Sequence, residues 1–306
     1  MSRAAAGGRT VTDEARRALA RIPLFAGRPL GDIAVEPLPG LTNRTCKLAL
    51  DGEAFVLRIP GPGTGRYIDR AAEEHNARVA AAVGVGPELL FFDRADGLML
   101  TRFVAGADVL DEGKLREPAL LRRAVRTLRR LHGCGRRFHG RMDLFGRLDL
   151  YLALAAERGI AAPPELVAAR AAAAPLRDAL ARGAAPDAPC HIDPVPHNFL
   201  ARDEATGGMI LLDWEYSAMC EPVWDLADLS VEARFDAAQD AAMLETYYGA
   251  TAPAAAGRLA LYKAMLDLLA AAWSWLQVAD GNRNADFRAL AAERLARCRA
   301  AMAAPA

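Results

Sequence analysis

The sequence predicts an α+β fold with a small β-rich N-terminal lobe and a larger, mainly helical C-terminal lobe. In the first third of the 306 residues, short runs of β-favouring residues flank turn-forming pairs, a pattern typical of hairpins. From Glu112 onwards, alanine-rich segments with helical spacing dominate. The pattern changes near residues 104–106, so we expect lobes of residues 1–105 and 106–306.

Four strands and one helix are predicted in the N-terminal lobe. The runs "CKLAL" and "EAFVLRI" flank the Asp-Gly pair at residues 51–52, which favours a two-residue hairpin turn. Roughly residues 67–83 have helical composition, with Glu74 and Arg78 four apart. The preceding "GPGTG" lacks the Gly-Lys-Ser/Thr ending of a P-loop and is interpreted as a connection. "PELLFFD" and "GLMLTRFV" predict two more strands around residues 95–97.

One hairpin is predicted within the helical lobe, in "NFLARDEATGGMILLD". Residues 199–201 and 209–212 form its short strands, joined by a polar loop that ends in Gly207-Gly208. In an antiparallel hairpin, the residue before the first strand and the residue after the second lie at the same end. Those residues are Asn198 and Asp213, so an amide oxygen and a carboxylate should lie together.

A second carboxylate, Asp193, precedes this hairpin in the segment "HIDPVPHNFL". Mg²⁺ takes one or two protein oxygens and keeps the rest of its shell for water and phosphate. A separate carboxylate can receive the proton of an attacking hydroxyl. Asn198 and Asp213 as metal ligands, with Asp193 as the base, therefore predict phosphoryl transfer.

The segments "HIDPVPHNFL", "ILLDWEY" and "EPVWDLADL" resemble the catalytic region of the aminoglycoside phosphotransferase and choline kinase superfamily, relatives of the protein kinases. Upstream, "GLTNRTCKLAL", "FVLRIPGPGT", "YIDRAAEEHN", "GVGPELL" and "GLMLTRFVAG" resemble the small lobe of bacterial choline and ethanolamine kinases. The resemblance runs from about Gly40 to Leu229. It implies a two-lobed protein-kinase-like fold that uses ATP and Mg²⁺ to phosphorylate the hydroxyl of choline or ethanolamine.

Three further polar residues surround the expected base. By resemblance, His191 and Asp225 brace the catalytic loop. The alternatives are a metal role for His191 and an ordinary helix N-terminal position for Asp225. His197 either contacts substrate or packs within the loop.

The resemblance also implies an arginine that holds the nucleotide phosphates, and Arg58 in "FVLRIPG" matches it. Lys47 stays open as an alternative, because a two-residue turn places Lys47 opposite Val56 and on the same sheet face as Arg58. The carboxylate partner of the arginine is Glu73 or Glu74, and the family spacing favours Glu73.

Other nucleotide contacts are expected in two segments. "GLTN" has one glycine where protein kinases have three, so phosphate contact there is expected from backbone amides and from Thr42 or Asn43. Arg102, Phe103 and Val104, at the end of the last predicted strand, complete the expected ATP-binding residues.

Substrate contacts are expected from Glu215 and Trp273. Trp273 in "AAAWSWLQ" matches the helix in which choline kinases place an aromatic wall for the quaternary ammonium. Helix core is the alternative for Trp273, as it is for Trp224 and Trp275. Two other functions remain open: an aminoglycoside or other small-alcohol kinase, and a nucleotide-binding pseudokinase, although Asp193, Asn198 and Asp213 are all present.

The amino-acid composition indicates which classes of partner and which cellular location to expect. Lysine and arginine number 38, as do aspartate and glutamate, so no net charge favours nucleic acid or an anionic membrane. The five cysteines form no CxxC pair, which predicts reduced thiols. No signal peptide and no apolar run of membrane-spanning length is recognised. We expect a cytoplasmic protein with a small-molecule partner.

Overall fold

The computed structural model describes residues 13–40, 42–61, 63–203, 208–249 and 253–303. They fall into two compact units, Met1–Gly106 and Ala107–Ala306. Gly207, predicted to end the hairpin loop, lies outside the described residues, as do Leu41 of "GLTN" and Pro62 of "GPGTG".

The N-terminal unit is built on an antiparallel five-stranded sheet of order β1-β2-β3-β5-β4. Two elements were not predicted, a helix at residues 13–19 (α1) and the edge strand β1. The predicted helix is confirmed but begins later, at the N-cap Asp69, whose Oδ1 accepts hydrogen bonds from Ala71 and Ala72 at 3.0 Å. The remaining bounds are β1 Ala34–Leu38, β2 Arg44–Leu50, β3 Glu53–Ile59, α2 Arg70–Ala82, β4 Leu89–Asp93 and β5 Leu98–Arg102.

The β2–β3 hairpin determines which side chains share a sheet face. Asp51 and Gly52 have φ of 52° and 80°, as a two-residue turn requires. Lys47 pairs with Val56, which confirms the predicted register. The opposite face carries the core of the unit, formed with α1 and the segment after it by Ala15, Ala18, Leu19, Ile22, Phe25, Ile33, Cys46, Leu48, Phe55, Leu57, Leu98 and Leu100.

The C-terminal unit is mainly helical, as predicted, but it contains more strands than the single predicted hairpin. The hairpin is confirmed, with Phe199 opposite Leu211. It gains a third strand, β6, and a separate pair forms between β7 and β10. Strands of two or three residues carry too little alternation to be recognised from sequence. The strands are β6 Asp108–Val109, β7 Ala188–Cys190, β8 Phe199–Ala201, β9 Ile210–Leu211 and β10 Ala218–Cys220.

Helix α10 is the central helix of this unit and packs against α5, α8 and α11. Contrary to the sequence expectation, its portion Ala255–Ala279 is long and apolar enough to cross a membrane. However, 61% of its most apolar window is buried inside the fold, as in a core helix. The helices are α3 Glu112–Leu115, α4 Pro118–His132, α5 Leu144–Glu157, α6 Pro164–Ala172, α7 Ala174–Ala181, α8 Val223–Glu232, α9 Ala237–Tyr248, α10 Pro253–Ala279 and α11 Phe287–Ala303.

All five cysteines are free thiols, and four of them are buried. The prediction of reduced cysteines is therefore confirmed. Burial raises the pKa of the Cys190 thiol well above its usual range, so this thiol stays protonated and packs as a small apolar group.

Candidate active site

A buried ion pair links the sheet and the helix of the N-terminal unit. The Arg58 guanidinium on β3 pairs with Glu73 on α2, and their side chains are 5% and 1% exposed. The second Glu73 oxygen accepts from Arg70 at 2.6 Å, a partner that the sequence analysis missed. Glu74 instead binds Arg78 and a second arginine near the surface. Glu73, not Glu74, is therefore the carboxylate that pairs with Arg58.

Lys47 lies on the same sheet face as Arg58 but in a different environment. Its Nζ is 3.8 Å from a Glu36 oxygen and 4.5 Å from the centre of the Phe103 ring. Arg102 pairs with Phe55 across the sheet and so lies on the opposite face, where two carboxylates bind its guanidinium. The structure thus places Arg58, Lys47 and Phe103 on one face, but not the Arg102 side chain.

The "GLTN" and "GPGTG" segments of this unit pack against each other. Asn43 is 8% exposed, and its Oδ1 accepts from the Gly61 N–H at 3.3 Å. A Cβ on Gly61 would lie 2.2 Å from the carbonyl oxygen of Thr42, so only glycine allows this approach. "GPGTG" therefore supports the Thr42–Asn43 loop and does more than connect a strand to a helix. Val104, beyond the sheet, is half-buried.

In the C-terminal unit, the loop of residues 191–198, which is the candidate catalytic loop, folds around the backbone carbonyl of Asp193. This oxygen accepts from Val195 N at 2.9 Å and from Asn198 Nδ2 at 3.0 Å. The Asn198 carbonyl accepts from Leu212 N at 2.8 Å, which closes the hairpin. Because the amide nitrogen of Asn198 makes the loop bond, its side-chain oxygen remains outside that bond. The backbone bond brings Asn198 beside the strand end that leads to the residue after Leu212.

That residue is Asp213, with a φ of 63° in the left-handed region that aspartate tolerates better than most residues. Asp193 and Asp213 are both half-buried. Burial raises the pKa of Asp193 well above its usual range, and the Asp213 charge raises it further. The hairpin therefore places two interacting carboxylates and an amide together, a set of hard oxygen donors that suits Mg²⁺.

The backbone just before Asp193 is strained and firmly held. Ile192 has a φ of 76°, which is unusual for a β-branched residue. Asp225, fully buried in α8, accepts from His191 N at 2.7 Å and from Ile192 N at 2.8 Å. Trp224 Nε1 donates to the Ile192 carbonyl at 2.9 Å. Helix α8 thus holds the peptide groups on both sides of the strained residue and thereby orients Asp193.

His132 extends this arrangement and was missed by the sequence analysis. Its Nε2 lies 2.9 Å from Asp225 Oδ2, and its Nδ1 lies 2.7 Å from the Tyr247 hydroxyl. The histidine ends α4, far from the loop in sequence. A histidine at the end of an arginine-rich segment was the signal available in the sequence, but no sequence pattern identified Asp225 as its partner.

His191 connects the loop to the hairpin. Its Nε2 lies 2.8 Å from the Leu212 carbonyl, directly before Asp213, and its ring packs edge-on against Trp214. Burial lowers the pKa of His191, so the imidazole is neutral and donates from Nε2. His197 has an exposed position in the same loop.

The two expected substrate residues lie on different elements. Glu215 is 7% exposed, and its charge contributes to raising the pKa of Asp193. Trp273 on α10 is half-buried, with its ring edge-on to Phe287 at 5.6 Å between centroids. Trp275 donates its indole N–H to the Ala161 carbonyl at 3.0 Å.

We expect Asp225→Ala to destabilise the protein by about 3–5 kcal/mol, because His132 and two buried backbone N–H groups lose their acceptor. Urea denaturation of the wild type and the variant measures the loss in the free energy of unfolding of the C-terminal unit. The matched control is Asp236→Ala, which removes an N-cap of α9 and should cost only about 1 kcal/mol. Equal losses in both variants would show that Asp225 is an ordinary helix residue.

Comparison with known proteins identifies the family. The family described as "Phosphotransferase enzyme family" matches residues 34–262. A choline/ethanolamine kinase family protein from Mesorhizobium loti is 42% identical, with a TM-score of 0.82 and 96% of each chain covered. The choline kinase LicA from Streptococcus pneumoniae is 25% identical, with a TM-score of 0.78, and the match covers 89% of this chain and 94% of that one.

Protein LicA from Haemophilus influenzae is 28% identical over 225 residues, which is 72% of this chain. The matched region spans 64% of that relative's length. The family match over more than half of the chain, together with the Mesorhizobium loti relative, establishes the family. This chain belongs to the phosphotransferase enzyme family and, within it, to the choline/ethanolamine kinase family.

Proposed function

We propose that this protein transfers the γ-phosphoryl group of ATP to the hydroxyl of a small amino alcohol, choline or ethanolamine. The observation that carries the proposal is the grouping of Asp193, Asn198 and Asp213 at one end of the β8–β9 hairpin, joined by the bond between Leu212 N and the Asn198 carbonyl. The names of the relatives support this substrate class. A cytoplasmic location is part of the proposal.

In this proposal, the C-terminal lobe, residues 106–306, carries the chemistry. Mg²⁺, when bound, offsets the negative charge of the transferring phosphoryl group, and Asn198 and Asp213 would hold it through oxygen atoms. The Asp193 carboxylate accepts the hydroxyl proton as the oxygen attacks phosphorus. His191, Asp225 and the α8 contacts hold the strained backbone at Ile192 and thereby orient Asp193.

The N-terminal lobe, residues 1–105, binds the nucleotide in this proposal. Arg58 provides a permanently charged guanidinium for phosphate oxygens, and Glu73 holds it in place from a buried position. The Thr42–Asn43 loop contributes backbone amides and polar side chains. The backbone of the segment 102–104 and the side chains of Phe103 and Val104 complete the nucleotide contacts, whereas the Arg102 side chain lies on the opposite sheet face.

Replacing Arg58 by alanine should raise the KM for ATP by about 10- to 100-fold, because charge-assisted hydrogen bonds contribute about 1.5–3 kcal/mol. Lys47→Ala is the matched control, since Lys47 lies on the same face but interacts with Glu36 and Phe103. Initial rates at varied ATP concentration measure both. A large effect at Lys47 with none at Arg58 would reverse their roles.

We propose that Trp273 and Glu215 contact the amino alcohol. An aromatic face attracts a quaternary ammonium without a counter-charge. The half-buried Trp273 ring packs edge-on against Phe287. Glu215 adds a buried carboxylate that acts on Asp193 through its charge.

An ADP-release assay across choline, ethanolamine, thiamine and an aminoglycoside tests the function. We expect turnover with choline or ethanolamine and only background ADP release without an acceptor. Turnover of the aminoglycoside or thiamine alone would overturn the assigned substrate class. ATP binding without turnover of any acceptor would favour a pseudokinase.

A further inference from the structure

Helix α8 carries three carboxylates on one face. Asp225, Asp228 and Glu232 are spaced three and four residues apart, so they line up along the helix. Asp225 holds the catalytic loop at His191 and Ile192. The same face, one and two turns further along, therefore continues beside the loop that carries Asp193.

The three carboxylates differ in the hydrogen-bond donors that they accept from. Asp225 accepts two backbone N–H groups, as described above. Glu232 accepts from Arg294 at 2.7 Å, and Arg294 also donates to Asp267 at 3.2 Å. Asp228 is 8% exposed, and within the described part of the chain no group donates to its buried Oδ2.

The surroundings of Asp228 are unfavourable for its charge. Burial raises the pKa of Asp228 well above its usual range, and the charges of Glu232 and Asp193 raise it further, against a smaller opposing effect of Arg294. A buried carboxylate without a donor is strongly disfavoured unless a cation or a proton reaches it. Asp228 lies one turn after Asp225 on the same face of α8, and Asp225 holds the backbone directly before Asp193, so a cation bound at Asp228 would lie beside the loop that carries the expected base.

We propose that Asp228 accepts an N–H hydrogen bond from the ammonium group of the substrate and thereby favours amino alcohols that carry at least one N–H over trimethylammonium compounds. This rests on the proposed function. A protonated amine presents one to three N–H donors, whereas a trimethylammonium group presents none. The latter still carries a positive charge but would leave the desolvated Asp228 oxygen without a hydrogen-bond donor, and an unmet buried acceptor discriminates strongly between otherwise similar ligands.

Asp228→Asn tests the proposal with a neutral side chain of the same shape. We expect kcat/KM for ethanolamine to fall about tenfold relative to kcat/KM for choline. The ratio is the decisive quantity, because any effect transmitted through Asp193 acts on the hydroxyl of both substrates and cancels. Glu245→Gln, an exposed charge removal on α9 of the same unit, is the control and should leave the ratio unchanged.

A second experiment uses only the wild-type protein, so its result does not depend on whether the Asp228→Asn variant folds. Across ethanolamine and its N-methyl, N,N-dimethyl and N,N,N-trimethyl forms, kcat/KM should drop most at the last methylation, which removes the final N–H. An unchanged ratio in Asp228→Asn, or a series that rises to choline, would overturn the Asp228 assignment while leaving the kinase activity established. Wild-type turnover of none of these alcohols would overturn the proposed function and this assignment with it.

Discussion

Asp193→Asn should lower turnover by about 10²–10⁴, the usual contribution of a positioned general base. Asparagine has the same shape but cannot accept the hydroxyl proton. The loop should keep its conformation, because Val195 and Asn198 donate to the backbone carbonyl of residue 193 and not to its side chain. Steady-state kinetics with the preferred amino alcohol measure the effect. Turnover within a few-fold of wild type would remove Asp193 from the role of base.

The same substitution should not destabilise the protein. The pKa of Asp193 is raised in the folded state by burial and by Asp213, so its ionisation opposes folding as the pH rises from the ordinary aspartate range through the raised pKa. The neutral asparagine side chain of the variant carries no such cost. The variant's free energy of unfolding should match wild type at low pH and exceed it increasingly at higher pH. Urea denaturation at several pH values separates this result from inactivation by unfolding.

The raised pKa also predicts the acid side of the pH profile. Asp193 must be ionised to accept a proton, so turnover should fall as the pH decreases through its pKa. Because that pKa is raised, the fall should occur above the range of an ordinary aspartate. A flat profile down to that ordinary range would contradict the raised pKa of Asp193, which burial and then the Asp213 charge produce.

Asp213→Ala should abolish the strengthening of ATP binding by Mg²⁺. Asn198 alone would supply a neutral oxygen, and the cation would lose its charged protein ligand. Isothermal titration calorimetry of ATP binding, with and without Mg²⁺, measures the difference in affinity. Binding of ATP without metal should change little.

Backbone strain must be separated from ligand loss in that experiment. Asp213 has a positive φ, and alanine tolerates it poorly, whereas asparagine tolerates it well. Asp213→Asn should therefore fold like wild type yet still lose most of the Mg²⁺ effect, because it supplies no charge. Asp178→Ala, an exposed helix substitution, controls for general charge removal. A wild-type Mg²⁺ effect in Asp213→Asn would contradict the metal assignment.

Local patterns were sufficient wherever the chain determines its own geometry over a few residues. The Asp-Gly turn at residues 51–52 sets the register that brings Lys47 opposite Val56, and the hairpin after Asn198 returns the chain to Asp213. Both follow from turn chemistry and from the alternation of strands. The choice between Glu73 and Glu74 did not follow, because adjacent helix positions point about 100° apart and the helix orientation is set by packing.

The sequence by itself therefore determined the family, the two-lobed plan and the three polar residues of the hairpin end. Only the tertiary structure showed that His132 lies behind Asp225, which holds the backbone before Asp193, and that no described group donates to the buried Oδ2 of Asp228. The first contact joins side chains of two separate helices, α4 and α8, and the second feature depends on which groups pack around α8. Such contacts depend on how helices pack, and packing is selected by the summed burial of many side chains, which no short motif encodes.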